Sequence, residues 1–362
     1  MDSAEREGLR PKGNVPNLRF PEFQGEWEEY RIEDITENIS SGRCKSHSSN
    51  GKYNLYGSTG IIGKTDEACY EGNLVLVARV GANAGSLQII NEPCGITDNT
   101  LIIKPQKVDA RYIYYFLQHF NLNRLIFGSG QPLITGGMLK KVKVSLGNIQ
   151  EQNKLTRLLS LLDERIATQN KVIEDLKKLK CAIAERLFKV IIGDVVALSD
   201  VCNIQKGKQV NGDSLSENGT YYVMNGGTEP SGYYEQCNTH ANTISISEGG
   251  NSCGYIQYNR EAFWSGGHCY TLTNIQSNVC NLYLYHYLKS KESAIMKLRI
   301  GTGLPNIQKK DLEKFAVLLP PVAKQVRISA FLTVVERKAT NEEILLSHFQ
   351  EEKQYLLRQM FI

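Results

Sequence analysis

The second half of this 362-residue chain repeats the first, and that repeat limits the folds open to it more than any other feature. At an offset of 173, Leu146 to Lys189 lines up with Leu319 to Ile362; Gln152 falls on Gln325, Leu159 on Leu332 and Phe188 on Phe361. At the same offset Gly128-Ser-Gly-Gln-Pro-Leu-Ile134 falls on Gly301-Thr-Gly-Leu-Pro-Asn-Ile307. Further upstream the offset becomes 169, and Gly81-Ala-Asn-Ala-Gly85 falls on Gly250-Asn-Ser-Cys-Gly254. Two copies of one module, each followed by a long helix, give a single chain the pseudo-twofold axis that a homodimer has by symmetry. A target with two halves is the natural partner for such a chain.

Length and composition fit two or three domains with cores of their own. No run of about 18 apolar residues is present, so no membrane span is expected. The charged stretch Met1 to Lys12 lacks the apolar segment of a secretory signal. Nine scattered cysteines without a CxxC pair suit a reducing cytoplasm and argue against a disulfide framework or a zinc site. The net charge of +4 permits nucleic-acid binding without announcing it.

Five segments follow: a leader over 1–26, a module over 27–147, a helix over 148–190, a second module over 191–320 and a second helix over 321–362. The fold class expected is α+β, with two β-rich modules separated by a pair of long antiparallel coiled-coil helices. Short apolar runs such as Leu74-Val-Leu-Val-Ala78 and Leu101-Ile-Ile103, broken by Gly, Asn and Ser, predict strands and turns. Tyr112 to Phe120 and Leu282 to Lys297 predict one helix in each module, and Tyr30 to Ile35 reads as a first strand.

In the first long helix an alternating 4,3 spacing places Leu155, Leu159, Leu162, Ile166, Ile173, Leu176, Ile183 and Leu187 on one seam. In the second it places Ile328, Leu332, Val335, Ala339, Leu346, Phe349, Leu356 and Met360 there. The polar exceptions, Gln169 with Lys180 and Glu342 with Lys353, occupy the same two heptad positions in both copies. Some 40 residues at 1.5 Å each make a helix roughly 60 Å long. Polar seam residues fix register, and the expected pairs are Lys180 with Glu342 and Lys353 with Gln169. The competing expectation is that each helix simply packs on its own module.

The two glycine-rich turns follow apolar strands, but neither opens a helix or carries a GK[ST] or GxGxxG pattern, so tight turns are expected rather than phosphate cradles. Side chains able to meet DNA are Arg43, Lys45, Asn54, Ser58, Arg79, Asn83, Asn99 and Gln131 in the first module. In the second they are Lys206, Lys208, Asn225, Asn251, His268 and Asn306. Arg and Lys suit guanine edges and phosphates, and Asn and Gln suit adenine edges. Gly42-Arg43 matches Gly207-Lys208, and Asn99 matches His268. No [DNS]PP[YFW], Walker A, GxSxG, HExxH or PD…(D/E)xK sequence is present, and the six histidines lack metal-ligand spacing.

From about Val15 to Ile362 the chain resembles the specificity subunit of Type I restriction–modification systems. The resemblance rests on Leu18-Arg-Phe-Pro-Glu-Phe23 with Trp27, Gly128-Ser-Gly-Gln-Pro132, Gly147-Asn-Ile-Gln-Glu-Gln152 and Pro320-Pro-Val-Ala-Lys-Gln325, in that order and each helix with its heptads. It implies two target-recognition domains, each reading one half of a bipartite double-stranded DNA site, and a helix pair that sets the gap. It further implies docking of two modification (methyltransferase) subunits, joined by restriction subunits. The chain itself would be non-catalytic, with S-adenosylmethionine, ATP and Mg held only by the partners. Leu304 stands where the first copy has Gln131, so a contact made by Gln131 has no counterpart. The alternatives are a coiled-coil adaptor with two protein- or carbohydrate-binding modules, and a fused methyltransferase, which would need a catalytic motif and a longer chain.

Overall fold

A computed structural model describes residues 13–44, 48, 50–126, 132–301 and 303–362. Lys45 and Gln131 lie outside the described residues. The chain divides into two compact units: residues 1–169 with 345–362, and residues 170–344.

Unit 1 opens with β1 (Glu28–Arg31), α1 (Ile32–Ile35), β2 (Thr36–Ser41), β3 (Tyr53–Gly57), β4 (Gly60–Thr65) and β5 (Leu74–Ala78). It continues through β6 (Leu87–Ile90), β7 (Cys94–Ile96), β8 (Thr100–Pro105), α2 (Ala110–Phe120), α3 (Gly136–Lys140) and β9 (Lys143–Leu146). The long helix α4 (Ile149–Val190) begins in this unit. Unit 2 holds β10 (Asp194–Ala197), α5 (Leu198–Val201), β11 (Asn203–Lys206), β12 (Tyr221–Met224), β13 (Tyr233–Tyr234) and β14 (Thr243–Ser247). After these come β15 (Ile256–Asn259), β16 (Trp264–Ser265), β17 (Cys269–Thr273), α6 (Asn281–Ser290), α7 (Glu292–Met296), α8 (Lys309–Glu313), β18 (Ala316–Leu319) and the start of α9 (Val322–Met360).

The repeat extends to strand order. Unit 1 has sheets β2-β8-β5-β6, β4-β3-β7 and β1-β9; unit 2 has β11-β17-β14-β15, β13-β12-β16 and β10-β18. Register repeats too: Val75 faces Ile103 and, 169 residues later, Ile244 faces Leu272. All five residues of β5 are buried because the strand lies between β8 and β6 with both faces covered, which is why it reads as a continuous apolar run. The segment Tyr30 to Ile35 is not one strand. It turns helical at Ile32, where the Arg31 N–H donates to Asp34 Oδ2 at 3.0 Å; the second copy repeats this with Ala197 and Asp200, also at 3.0 Å. The segment Leu282 to Lys297 is two helices, α6 and α7, interrupted at Lys291.

In unit 1 the first half of α4 runs antiparallel to the end of α9. Asp163 pairs with Lys353 at 2.6 Å, and the Arg165 guanidinium lies 5.3 Å from the Phe349 ring centre. Earlier in α4, Leu155 and Leu159 share a core with Leu357, Met360 and Phe361. In unit 2 the second half of α4 runs antiparallel to the start of α9, with Lys177 on Glu343, Lys180 on Glu336, and Ala184 and Phe188 sharing a core with Leu332. Every predicted seam position is at least half-buried. Leu155, Leu159, Ile173, Leu332, Ala339 and Met360 are buried, while Leu162, Ile166, Leu176, Ile328, Val335, Leu346, Phe349 and Leu356 are intermediate.

The expected register needs correction. Lys180 pairs with Glu336 at 2.5 Å, not with Glu342, and Lys353 pairs with Asp163, not with Gln169. Glu342 instead takes Lys338 one turn away on its own helix. The two observed pairs are copies of each other, since 163 and 336, and 180 and 353, each differ by 173. The acid stands at a neighbouring heptad position, beside the seam, where a carboxylate reaches the opposing lysine without displacing apolar packing. The seam also serves each module, because its outer ends enter the module cores rather than pairing helices alone.

The described part of the leader, residues 13–26, is part of unit 1. Arg19 donates to both carboxylate oxygens of buried Glu151, at 2.7 and 2.8 Å, and the Trp27 indole N–H reaches the same group at 3.1 Å. Leu18 N–H donates to Gln359 O at 2.9 Å, which ties the leader to the end of α9.

Glu336 accepts from Tyr285 at 2.9 Å as well as from Lys180. Burial opposes its ionisation, but the adjacent Lys180 ammonium overrides it and holds the carboxyl below its ordinary range. Reversing either charge alone, K180E or E336K, should cost about 2–4 kcal/mol in urea unfolding, because two like charges then face each other at a half-buried site. The double reversal should recover at least half of that cost; a double variant as damaged as the sum of the singles would refute the pairing. Buried His286 carries a second expectation. Burial drops its imidazole to about 4 although Thr333 Oγ1 lies 2.9 Å from Nε2. The unfolded chain binds that proton near pH 6.5 and the folded chain resists until about 4. Stability should therefore fall as pH drops through this window, by up to about 3 kcal/mol, and His286→Gln should flatten the profile measured by denaturant unfolding.

Candidate nucleic-acid interface

The two units share a turn-centred framework down to individual backbone hydrogen bonds. In unit 1, β5 ends in the turn Gly81–Gly85. Gly85 N–H donates to Ala78 O at 2.9 Å, Ala84 N–H to Gly81 O at 3.0 Å and Ser86 N–H to Asn83 O at 2.9 Å. In unit 2, β14 ends in the same turn, with Gly254 N–H on Ser247 O at 2.8 Å, Cys253 N–H on Gly250 O at 3.1 Å and Tyr255 N–H on Ser252 O at 2.8 Å. The four glycines Gly81, Gly85, Gly250 and Gly254 all have φ between 75° and 92°, which side chains with a Cβ rarely adopt. These are tight turns between strands, as the flanking sequence predicts. They align Asn83 with Ser252 rather than with Asn251.

Three segments meet beside each turn. Arg79 N–H donates to Asn99 O at 2.9 Å, Ile134 N–H to Arg79 O at 2.8 Å and Gly81 N–H to Pro132 O at 3.1 Å. The copies are Glu248 N–H to His268 O at 2.9 Å, Ile307 N–H to Glu248 O at 2.8 Å and Gly250 N–H to Pro305 O at 2.9 Å. The ends of β2 and β11 join through Gly42 N–H to Thr100 O at 3.0 Å and Gly207 N–H to Cys269 O at 2.9 Å. Predicted residues are therefore brought together: Arg79, Asn99 and the Gly42-Arg43 end in unit 1, and Lys206, Lys208, Asn225, His268 and Asn306 in unit 2. Asn225 belongs to this group because its Oδ1 accepts from His268 N–H at 3.1 Å, and Asn306 because it bridges to Gly249. Arg43, Asn83, Asn99, Lys208, Asn251, His268 and Asn306 are exposed.

Other predicted residues are placed differently. Asn54 lies on β3 in the smaller sheet and donates to Glu92 Oε1 at 2.7 Å, beside Tyr56 at 2.6 Å. Those two donors hold the Glu92 carboxyl below its ordinary range. Ser58 sits in the β3–β4 turn and is half-buried.

Sequence reasoning missed Glu248, at the centre of the unit 2 group. Its Oε1 accepts from Lys206 Nζ at 2.6 Å and from Tyr270 Oη at 3.0 Å. A search confined to basic and amide side chains passes over an acid, although the 169 offset sets Glu248 opposite Arg79. The exposed polar groups of both clusters can donate to base edges and phosphates and accept from base amino groups.

The chain matches the family described as Type I restriction modification DNA specificity domain twice, over residues 24–178 and 194–346, and it belongs to that family. It is 26% identical over 260 residues to a putative type I specificity subunit of Mycoplasma genitalium, covering 66% of this chain and 68% of that one. It is 29% identical over 236 residues to the Type I restriction enzyme MjaVIII specificity subunit of Methanocaldococcus jannaschii, covering 56% of this chain and 54% of that one. Its fold matches a crystal structure of the S subunit of a Type-I restriction-modification system from M. genitalium with a TM-score of 0.72, at 20% identity, over 96% of this chain and 99% of that one.

The ends of β2 and β11 offer a test of the shared framework. A Cβ on Gly42 would run into the backbone carbonyls of Ile96 and Thr97, and one on Gly207 into those of Ser265 and Gly266. Gly42→Ala and Gly207→Ala should each destabilise the unit that holds them by about 1–3 kcal/mol, read as a lower thermal midpoint. An unchanged midpoint for either would show that this close approach does not exist.

Proposed function

We propose that this member of the Type I DNA specificity family is the non-catalytic, sequence-reading subunit of a restriction–modification complex, and that each unit reads one half of a bipartite duplex site. The observation that carries this reading is the repeated framework with unlike side chains. Arg43, Arg79 and Asn99 occupy in unit 1 the places that Lys208, Glu248 and His268 occupy in unit 2. Two equal frameworks with different polar groups suit two half-sites of different sequence. Asn83, Asn251, Lys206, Asn225 and Asn306 belong to the same proposed contact set, with Arg and Lys serving phosphates as well as guanine.

The helix pair α4 and α9 sets the gap between half-sites in this reading and docks two modification subunits, which restriction subunits then join. Exposed apolar residues on the helices support docking: Leu161 is 52% exposed and Val334, its copy at 173, is 56% exposed, with Phe331 at 49%. Apolar side chains repeated on the outer face of both helices suit a partner protein rather than water. S-adenosylmethionine, ATP and Mg belong to the partners. Because the chain carries little net charge, binding to DNA alone is expected to be weak and to tighten when partner subunits share the phosphate contacts.

Base-resolution mapping of methylation in cells expressing this chain with a modification subunit is the test. The expected result is a split motif with two unlike halves and a fixed gap, lost when this chain is absent. A methyltransferase that is active and bound to the chain but marks no split motif would favour a coiled-coil adaptor. Deleting one heptad from α4 and its copy from α9 should change the gap or abolish methylation without altering either half; altered halves would overturn the role of the helices.

A further inference from the structure

The two units differ in chemistry at one point of their common framework. In unit 1 the residue two positions before the glycine turn is Arg79, and the strand register surrounds it with Ser41, Asn99 and Leu101. In unit 2 the same places hold Glu248, Lys206, His268 and Tyr270. A half-buried cation has been exchanged for an acid with three polar neighbours.

Glu248 is only 9% exposed. Its Oε1 is occupied by Lys206 and Tyr270, and Tyr270 Oη also lies 3.2 Å from Ile307 O, so this side of the carboxylate is fixed. Its Oε2 is buried and has no hydrogen bond among the described residues. His268 Nδ1 lies 3.5 Å from it. A buried carboxylate oxygen left unpaired is costly, and a small rotation of the imidazole brings Nδ1–H onto it. The His268 backbone is held from both sides, by Asn225 Oδ1 on its N–H and by Glu248 N–H on its carbonyl, while its side chain is 63% exposed. A proton kept on Nδ1 by the carboxylate leaves Nε2 of this exposed side chain as an acceptor.

We propose that His268 reads an amino-bearing base, adenine or cytosine, through Nε2, with Glu248 as its positioning residue, at the place where Arg79 of unit 1 donates to guanine. This rests on the reading that each unit binds one half-site. An amino group on adenine N6 or cytosine N4 needs an acceptor, whereas guanine O6 and N7 need donors, which a guanidinium supplies in pairs. The half-sites then carry opposite hydrogen-bond polarity at equivalent steps. Lys206 has the complementary task of neutralising Glu248.

Methylation mapping of the full chain with its modification subunit tests this with His268→Ala, Glu248→Gln, Glu248→Asp and Arg79→Ala. In one half of the motif, H268A and E248Q should broaden a required adenine or cytosine, raising methylation of sites with another base there at least tenfold. E248D should restore part of the discrimination. In the other half, R79A should broaden a guanine. His268 is on the surface, so H268A keeps the fold even if E248Q weakens it. A motif unchanged by H268A overturns the assignment while leaving the half-site reading intact. So does equal broadening of both halves, or a broadened position that required guanine or thymine. A wild-type chain that directs no split motif overturns the half-site reading, and this assignment with it.

Discussion

The antiparallel seam between α4 and α9 is the constraint on which both units depend. Neither module closes its core with its own strands alone. Leu155, Leu159, Leu357, Met360 and Phe361 complete one core, and Ala184, Phe188 and Leu332 complete the other. Apolar packing supplies the attraction but tolerates slippage by a heptad, since Leu follows Leu at the same spacing. The ion pairs Asp163–Lys353 and Lys180–Glu336 remove that freedom. Each sets one acid against one base at a single register, and a heptad slip would set Asp163 against Leu346 or Met360 and Glu336 against Ile173 or Leu187. Because the pairs are copies, one register satisfies both.

The same economy governs the modules. Their frameworks are fixed by backbone hydrogen bonds and glycine turns, which do not depend on the side chains that face outward. Positions 43, 79 and 99 can therefore differ from 208, 248 and 268 without disturbing the strands behind them. This division separates stability from specificity. Glu248 marks its boundary, since it is buried enough to need Lys206 and Tyr270 yet lies beside an exposed histidine.

Much of this was legible in the residues. The offsets of 173 and 169 anticipated sheets with matching order, and every residue that the 4,3 spacing set on the seam is now seen withdrawn from solvent, although it did not name Ala184, Phe188 or Leu357. Register was not legible, because heptad spacing locates the seam but not the residue that flanks it; Glu336 and Asp163 sit off the seam and so escaped notice. The short helix after β1 was hidden because Ile32 and Ile35 fit an apolar strand as well as a helical turn, and only Asp34, repeated as Asp200, signalled the cap. In the interface, the repeat set Arg43, Arg79 and Asn99 on one framework shared with unit 2. Asn54 lies apart from it on the smaller sheet, where its side chain answers to Glu92, 38 positions later in the chain. The leader offered a polar sequence and turned out to carry Arg19, which locks Glu151 from outside the repeat.

Phe361 packs edge-on against Tyr112 and Phe116 and stacks on His119, all on a helix of unit 1. On the ribosome, those three aromatic partners emerge more than half a chain before Phe361 does. Synthesis of unit 2 therefore proceeds while unit 1 still exposes an apolar gap, and the closing contact is among the most distant in sequence that the molecule makes. Long-range closure of this kind slows folding and lengthens exposure to aggregation. A frameshift or premature stop shortly before Phe361 would thus leave a product whose earliest-made half lacks its closing contact.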